Sequence, residues 1–150
     1  SHLIERIAGD HLLVAQARQP QQSIVLARRR DRRRDLARWL WRLDAASGRA
    51  TRLTSGAGVD SRPAWSPDGR SLVFVRDDSR TLAVILRDMT SGRETEVDKG
   101  MAMDPVFTPD GTAIIYTNLT AGGDLDLYRY DIASAARTRL TTDGGIELRP

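Results

Sequence analysis

Two gapless stretches of this sequence repeat each other 42 positions apart, from Arg62 to Val75 and from Asp104 to Thr117. Each contains Pro-Asp-Gly followed by an apolar run of β-branched and aromatic residues. A second match places residues 40–63 on residues 127–150, which is 87 positions or about two periods. A period in the forties with short apolar runs between turn signals is typical of four-stranded propeller blades. The sequence therefore predicts an all-β chain of about three antiparallel blades.

The Pro-Asp-Gly segment predicts the turn between the first two strands of a blade. Pro67 fixes φ at the first corner, Asp68 can cap the turn with its carboxylate, and Gly69 can adopt positive φ. The runs that follow, Leu72–Val75 and Ile114–Thr117, are predicted second strands. Third strands are predicted at 39–43, 82–87 and 125–130, and fourth strands at 50–54, 94–97 and 137–141.

The turn from the third to the fourth strand begins at an aspartate and, in two copies, ends at a glycine. Gly48 and Gly92 are these glycines, whereas Ala135 occupies the corresponding place in the third copy. Because alanine resists positive φ, we expect a different turn in that copy.

The repeat phase also predicts where the blades begin and end. Blades are expected at about 10–55, 60–98 and 103–142, with a strand of a preceding blade at 3–7 and the start of the next blade at 147–150. The first blade has its inner strand at His11–Ala17 and its second strand at Ser23–Arg28. Three blades do not close a ring. We therefore expect either the remaining blades of a longer chain or a homodimer that closes a six-bladed ring, and the ragged ends favour the former.

Beyond about residue 9, the repeat units resemble those of the TolB-type (PD40, WD40-like) propeller family. The resemblance rests on Pro63-Ala64-Trp65-Ser66-Pro67-Asp68-Gly69, on Leu127-Tyr128-Arg129-Tyr130-Asp131 and on the two Thr-Arg-Leu-Thr units at 51–54 and 138–141. Similar blades occur in periplasmic TolB, in the propellers that gate prolyl oligopeptidase-like serine peptidases, and in sensor or scaffold regions. The resemblance implies a bacterial, periplasmic or other extracytoplasmic setting, and it does not assign a chemistry.

Positive charge is concentrated in one segment of a chain whose formal net charge is +3. Residues Arg28–Arg38 include seven arginines and two aspartates, for a local charge of +5. The repeat phase predicts a solvated loop between the second and third strands, whereas helical spacing of apolar residues from Leu36 to Leu43 offers a short helix as an alternative. A third interpretation is a patch for anions or nucleic acid, with Arg29, Arg30, Arg33 and Arg34 as its candidate residues. No nucleic-acid-binding motif accompanies the run, so nucleic acid is an unlikely partner.

The sequence predicts no catalytic, cofactor-binding or metal-binding residues. His2 and His11 are the only histidines, there is no cysteine, and no Gly-x-Ser-x-Gly nucleophile elbow occurs. No phosphate-binding loop, dinucleotide fingerprint or zinc-ligand spacing is present, and no apolar run is long enough to span a membrane. We therefore predict no enzyme activity and no cofactor for this chain.

Charged residues near the start of each inner strand are the main candidate site. Asp60, Asp104 and Glu147 recur there beside Arg62 and Arg149. In a propeller these positions would cluster at one mouth of the central channel, where partners usually bind. The alternative is that the carboxylates cap turns and pair with neighbouring arginines. The predicted function is a non-catalytic scaffold that binds a protein or peptide through its blade faces or channel mouth, with the substrate-gating propeller of a prolyl oligopeptidase-like peptidase as the alternative.

Overall fold

A computed structural model describes residues 14–15, 23–29, 38–44 and 46–142, and side chains from Trp39 onward. The described chain is all β, as predicted. The first group of strands is β1 (Val14–Ala15), β2 (Ser23–Arg29), β3 (Arg38–Asp44) and β4 (Ala50–Arg52). The second is β5 (Val59–Trp65), β6 (Ser71–Asp77), β7 (Leu82–Asp88) and β8 (Glu94–Gly100), and the third is β9 (Met103–Phe107), β10 (Ala113–Leu119), β11 (Leu125–Asp131) and β12 (Arg137–Arg139).

Each group is an antiparallel meander in which consecutive strands pair, and we call the groups blades 1, 2 and 3. Blade 3 is a separate four-stranded sheet, whereas a parallel bridge between Arg38 and Val59 joins blades 1 and 2. The central pairing repeats in register, since Ser71 faces Asp88 in blade 2 and Ala113 faces Asp131 in blade 3. The propeller-type fold predicted from the repeat is confirmed.

Several strand bounds differ from the prediction. The second strands extend beyond the apolar runs to Ser71–Asp77 and Ala113–Leu119, because backbone pairing continues where the side chains become polar. The outer strands of blades 1 and 3 are shorter than predicted and contain only Ala50–Arg52 and Arg137–Arg139. The segment around Trp39 is a strand and not a helix. The predicted strands at 3–7 and 147–150 lie outside the described residues.

The Pro-Asp-Gly turns form as predicted. Gly69 has a φ of +71°, and its N–H donates to the Ser66 carbonyl over 2.9 Å. The Asp68 carboxylate accepts from the Ser66 hydroxyl at 2.6 Å, which is the first cause of the lowered pKa of Asp68. In blade 3 the same bond from Thr108, at 2.5 Å, lowers the pKa of Asp110 to about 2. Both carboxylates therefore stay ionised as turn caps at neutral pH.

The expectation of a different outer turn in blade 3 is wrong. Ala135 adopts a φ of +57°, close to the +68° of Gly48 and the +75° of Gly92. The serine before each of these residues donates its hydroxyl to the aspartate that opens the turn, at 2.8, 2.8 and 2.7 Å. The aspartate-serine pair and the strand register thus impose the turn on alanine, which accepts an unfavourable left-handed backbone.

The core consists of two apolar clusters, one in each space between neighbouring blades. The first joins Leu40 and Leu53 of blade 1 to blade 2, and the second joins blade 2 to blade 3. Members of the first cluster from blade 2 are Leu72, Phe74, Ala83, Ile85, Trp65 and Met89. The second contains Val73, Val84, Val97, Ala64 and Leu86 of blade 2 with Ala102, Phe107, Ile114, Tyr116, Tyr128, Tyr130 and Ile132. Blade 2 is therefore apolar on both faces.

The alanine at positive φ gives the first prediction. Ala135→Gly should raise the free energy of unfolding by about 0.5 kcal/mol or more, because relief of left-handed strain outweighs the added flexibility of the unfolded chain. Chemical denaturation followed by circular dichroism measures this change. The matched variant Gly92→Ala, at the equivalent position of blade 2, should lower stability by about 1 kcal/mol. Lower stability of Ala135→Gly would contradict the shared turn geometry.

Candidate partner-binding site on the inner strands

The first strand of each blade lies on the inner side of the array. β9 contacts β5, and β5 contacts β1, as the innermost strands of adjacent propeller blades do. In a closed propeller, these strands would line the central channel. This position makes β5 and β9 the place to examine for a binding site.

Both inner strands contain a β-bulge at the same point of the repeat. In β5 the register shifts between Ser61 and Ala64, and in β9 one extra residue lies between Met103 and Val106. Arg62 and Asp104 occupy the two bulges, and each has a φ of +52°. A left-handed backbone at a residue other than glycine costs roughly 1–3 kcal/mol. The same strained backbone therefore occurs in blades 2 and 3. In each of them the bulge changes the direction of one charged side chain relative to the regular strand.

Arg62 and Asp104 form an ion pair between blades 2 and 3, through Nη1 of the arginine and Oδ1 of the aspartate. The arginine side chain is 49% exposed and the aspartate side chain is 18% exposed. Among the described residues, the Arg62 guanidinium has no second partner. Its remaining N–H groups can therefore reach an anionic group of another molecule.

Asp60 has a different environment from Asp104, although the sequence interpretation grouped them. Its carboxylate accepts from Nε and Nη2 of Arg76 at 2.8 and 3.1 Å, and the residue is only 2% exposed. The reason is the repeat phase, since Asp104 is equivalent to Arg62 while Asp60 is equivalent to the buried Ala102. Asp60 is thus a structural partner of Arg76, an arginine that the sequence interpretation did not name.

The other predicted site residues lie outside the described side chains. Glu147, Arg149, Arg30, Arg33 and Arg34 belong to segments that the structure does not describe. Arg29 ends β2, and only its backbone is described. Their assignment to a binding site stays a prediction.

Sequence reasoning missed a polar network within blade 2, which extends the Asp60–Arg76 pair. Nη1 of Arg76 donates to Glu94 at 2.8 Å, and Arg87 donates to the other oxygen of Glu94 at 3.0 Å. The Arg76 guanidinium lies 5.2 Å from the Phe74 ring centroid. The bond to Asp60 is the main cause of the raised pKa of Arg76. This network connects the inner strand of blade 2 with its outer strand.

A second missed network centres on Asp98, at the end of blade 2. Its carboxylate accepts from the Tyr116 hydroxyl at 2.8 Å, from Asn118 Nδ2 at 3.0 Å and from Arg137 Nη1 at 2.6 Å. All three donors belong to blade 3. Burial, followed by the bond to Asp98, raises the pKa of Tyr116, so its hydroxyl stays a donor. The repeat aligns Phe74 with Tyr116 and Arg76 with Asn118, so the sequence shows that polar groups replace others at these positions. It does not show that Asp98 is the carboxylate that binds them.

Over the described ranges, the structure contains no group of three or more histidine, cysteine, aspartate or glutamate residues that could hold a metal ion. The same residues include no helix that is long and apolar enough to cross a membrane. What the site offers is charge at a partly exposed protein surface.

The Asp98 network predicts a measurable coupling of blades 2 and 3. Asp98→Asn should lower the free energy of unfolding by about 2 kcal/mol, because the amide presents a donor to groups that themselves donate and loses the charge opposite Arg137. Glu96→Gln on the same strand, where the side chain is exposed, serves as the control and should change stability by less than about 0.5 kcal/mol. Equal effects of the two substitutions in urea denaturation would contradict the interblade role of Asp98.

Comparisons with known proteins agree with this architecture. No family model matches the sequence. A TolB homolog of Chlorobium chlorochromatii is 34% identical over 99 residues, which are 65% of this chain and 22% of that protein. The uncharacterized peptidase YuxL of Bacillus subtilis is 32% identical over 92 residues, which are 58% of this chain and 14% of that protein. The chain thus spans less than a quarter of either relative.

The solved structure of TolB from Acinetobacter baumannii superimposes with a TM-score of 0.76 at 26% identity. The match covers 91% of this chain and 34% of the TolB chain. Sequence relatives, structural match and observed blades agree on one type of propeller blade. The chain shares the blade repeat and the fold of TolB-like β-propellers.

Proposed function

We propose that this chain is a non-catalytic propeller scaffold that binds a protein or peptide partner on its channel wall, with Arg62 as a contact for an acidic group of that partner. The observation that carries the proposal is the Arg62–Asp104 pair on two equivalent bulges of the inner strands. A strained backbone that places a charged side chain on an accessible wall is typical of a functional position.

The charge and exposure of the pair support a contact with an anion. Arg62 is half exposed and makes one ion pair, while Asp104 is largely covered and holds the guanidinium in place. A guanidinium that keeps free N–H groups can bind a carboxylate through two parallel hydrogen bonds. An acidic side chain or a terminal carboxylate of a peptide meets this requirement.

The match to TolB proteins supports a binding role and an extracytoplasmic setting. The sequence of this chain also lacks the groups that a hydrolase requires, since no Gly-x-Ser-x-Gly elbow occurs and the two histidines lie at positions 2 and 11. Recognition at the inner strands needs no such groups.

The proposal predicts that Arg62 governs binding of acidic peptides. A fluorescein-labelled peptide of four glutamates serves as the probe, and fluorescence anisotropy at low ionic strength measures its affinity. Arg62→Ala should weaken binding about fivefold or more. Asp104→Asn should strengthen it, because the substitution removes the internal carboxylate that competes for the guanidinium.

Arg70→Ala is the control, since Arg70 is an exposed arginine in the turn between β5 and β6, outside the β5 bulge that holds Arg62. It should leave the affinity nearly unchanged. Equal weakening by Arg62→Ala and Arg70→Ala would indicate nonspecific attraction to positive charge and would contradict the site. Binding that depends on neither arginine would also contradict it.

A second candidate is the propeller of a prolyl oligopeptidase-like peptidase, which would filter substrates for a separate catalytic domain. The similarity to the peptidase YuxL favours it. A parent sequence that carries a Gly-x-Ser-x-Gly elbow, with aspartate and histidine after it, would support this candidate. A longer protein that contains this chain but consists only of propeller blades and further binding domains would rule this candidate out.

A further inference from the structure

Two exposed apolar residues meet at the junction of blades 2 and 3, at the end of the blades where the inner strand β9 begins. Met101 lies between β8 and β9 and is 41% exposed, and Leu119 ends β10 and is 44% exposed. The backbone N–H of each donates to Oδ1 of Asn118, at 3.0 Å from Met101 and 2.8 Å from Leu119. Both backbones therefore converge on one oxygen atom. We call Met101 and Leu119 the apolar pair.

The buried amide of Asn118 holds the apolar pair in place. Asn118 is only 7% exposed, and its Nδ2 donates to the Asp98 carboxylate at 3.0 Å and to the Lys99 carbonyl at 3.4 Å. Both ends of the amide are therefore hydrogen-bonded. A parallel bridge between Leu82 and Met101 fixes the Met101 backbone against blade 2. A surface that is already ordered loses little conformational entropy when a ligand binds.

The repeat shows that the fold does not require apolar residues at these two positions. At the junction of blades 1 and 2, the 42-residue offset places Val59 at the position of Met101 and the charged Asp77 at the position of Leu119. Neither Met101 nor Leu119 belongs to the apolar clusters between the blades. Adjacent apolar side chains that are exposed and have no packing role indicate a contact surface for another molecule.

The apolar pair lies close to the ion pair of Arg62 and Asp104. Asp104 is the second residue of β9, and Met101 lies three residues before it. Three residues of chain span at most about 11 Å. Leu119 is on the same side, because it ends β10, the strand that pairs with β9. One short extended peptide can therefore contact both the Arg62 guanidinium and the apolar pair.

We propose that the apolar pair receives an apolar side chain of the same acidic peptide that contacts Arg62, an inference that rests on the proposed function. Charge complementarity selects this occupant, since the Arg62 guanidinium keeps N–H groups that no described residue uses. The peptide combines a carboxylate for Arg62 with a leucine, or a residue of similar shape, for the apolar pair. The flexible thioether of Met101 adapts to the shape of that side chain. The contact gives the site a selectivity among acidic peptides that charge alone does not provide.

The proposal predicts that one leucine strengthens the binding of an acidic peptide. Two fluorescein-labelled probes carry a leucine two residues before or two residues after four glutamates, and matched probes carry serine in its place. In fluorescence anisotropy, at least one leucine probe should bind about fivefold or more tighter than its serine match, because the apolar pair removes part of the leucine surface from water. Met101→Gln and Leu119→Gln should each reduce this gain to less than about twofold, because the apolar contact is lost.

Leu140→Gln is the matched control. Leu140 is a leucine of blade 3 with 49% exposure, and it follows β12, at the opposite edge of the sheet from β9. This variant should keep the full gain from leucine. The affinity for the peptide of four glutamates should be nearly unchanged in all three glutamine variants, because each leaves Arg62 and Asp104 in place. Circular dichroism should give the wild-type spectrum for each variant.

Two results would overturn the inference while the proposed function stands. One is binding of the glutamate peptide that depends on Arg62 but gains nothing from leucine. The other is a leucine gain that Met101→Gln and Leu119→Gln leave intact, or that Leu140→Gln reduces equally. Failure of the proposed function has a different signature, since binding of the glutamate peptide would then be independent of Arg62, and the inference would fall with it.

Discussion

The structure depends on apolar packing between the faces of neighbouring blades. A single four-stranded sheet cannot bury both of its faces, so each blade uses the next one as its cover. Blade 2, which has a neighbour on each side, contains residues with no exposed surface on both faces, such as Phe74 towards blade 1 and Val84 towards blade 3. Burial of each such side chain contributes roughly 1.5–3 kcal/mol. Stability therefore belongs to pairs of blades and not to one blade.

A polar network lies beside each apolar cluster, but only the second network crosses between two blades. Asp60, Arg76 and Glu94 form the network beside the first cluster, whereas Asp98 and its donors Tyr116 and Arg137 form the one beside the second. The apolar positions repeat along the chain, while the polar groups beside them change from one cluster to the next. The Asp98 network can fix which blade face fits blade 2, because an unmatched buried donor or carboxylate is costly.

The fold was predictable from the sequence because several independent local patterns recur with the same spacing. Turn residues such as Gly69, the apolar second strands and the aspartate-serine turns all recur at one period. The turn at Ala135 was mispredicted because the low preference of alanine for positive φ is only one of the forces on it. The hydrogen bond from the Ser134 hydroxyl to Asp131 and the pairing of β11 with β12 outweigh that preference. Strand ends were also misplaced, since backbone pairing continues into polar residues.

The candidate site was only partly predictable. The sequence identified Arg62 and Asp104 as recurring charges but did not indicate their bulges or their mutual ion pair. It grouped Asp60 with them because Asp60 lies only two residues from Arg62. The 42-residue offset, however, places Arg62 and not Asp60 at the position of Asp104. Partners that lie in a neighbouring blade, such as Asp98 for Tyr116, depend on three-dimensional packing that no local pattern encodes.

A double-mutant cycle across the second cluster tests most directly whether blades stabilise each other by their faces. Val84 and Ile114 are fully buried there, on blades 2 and 3. The account predicts that the losses from Val84→Ala and Ile114→Ala are non-additive by at least about 0.5 kcal/mol in chemical denaturation. Leu72→Ala, in the other cluster, should add to Ile114→Ala within about 0.5 kcal/mol. Additive losses for Val84 and Ile114 would contradict the account.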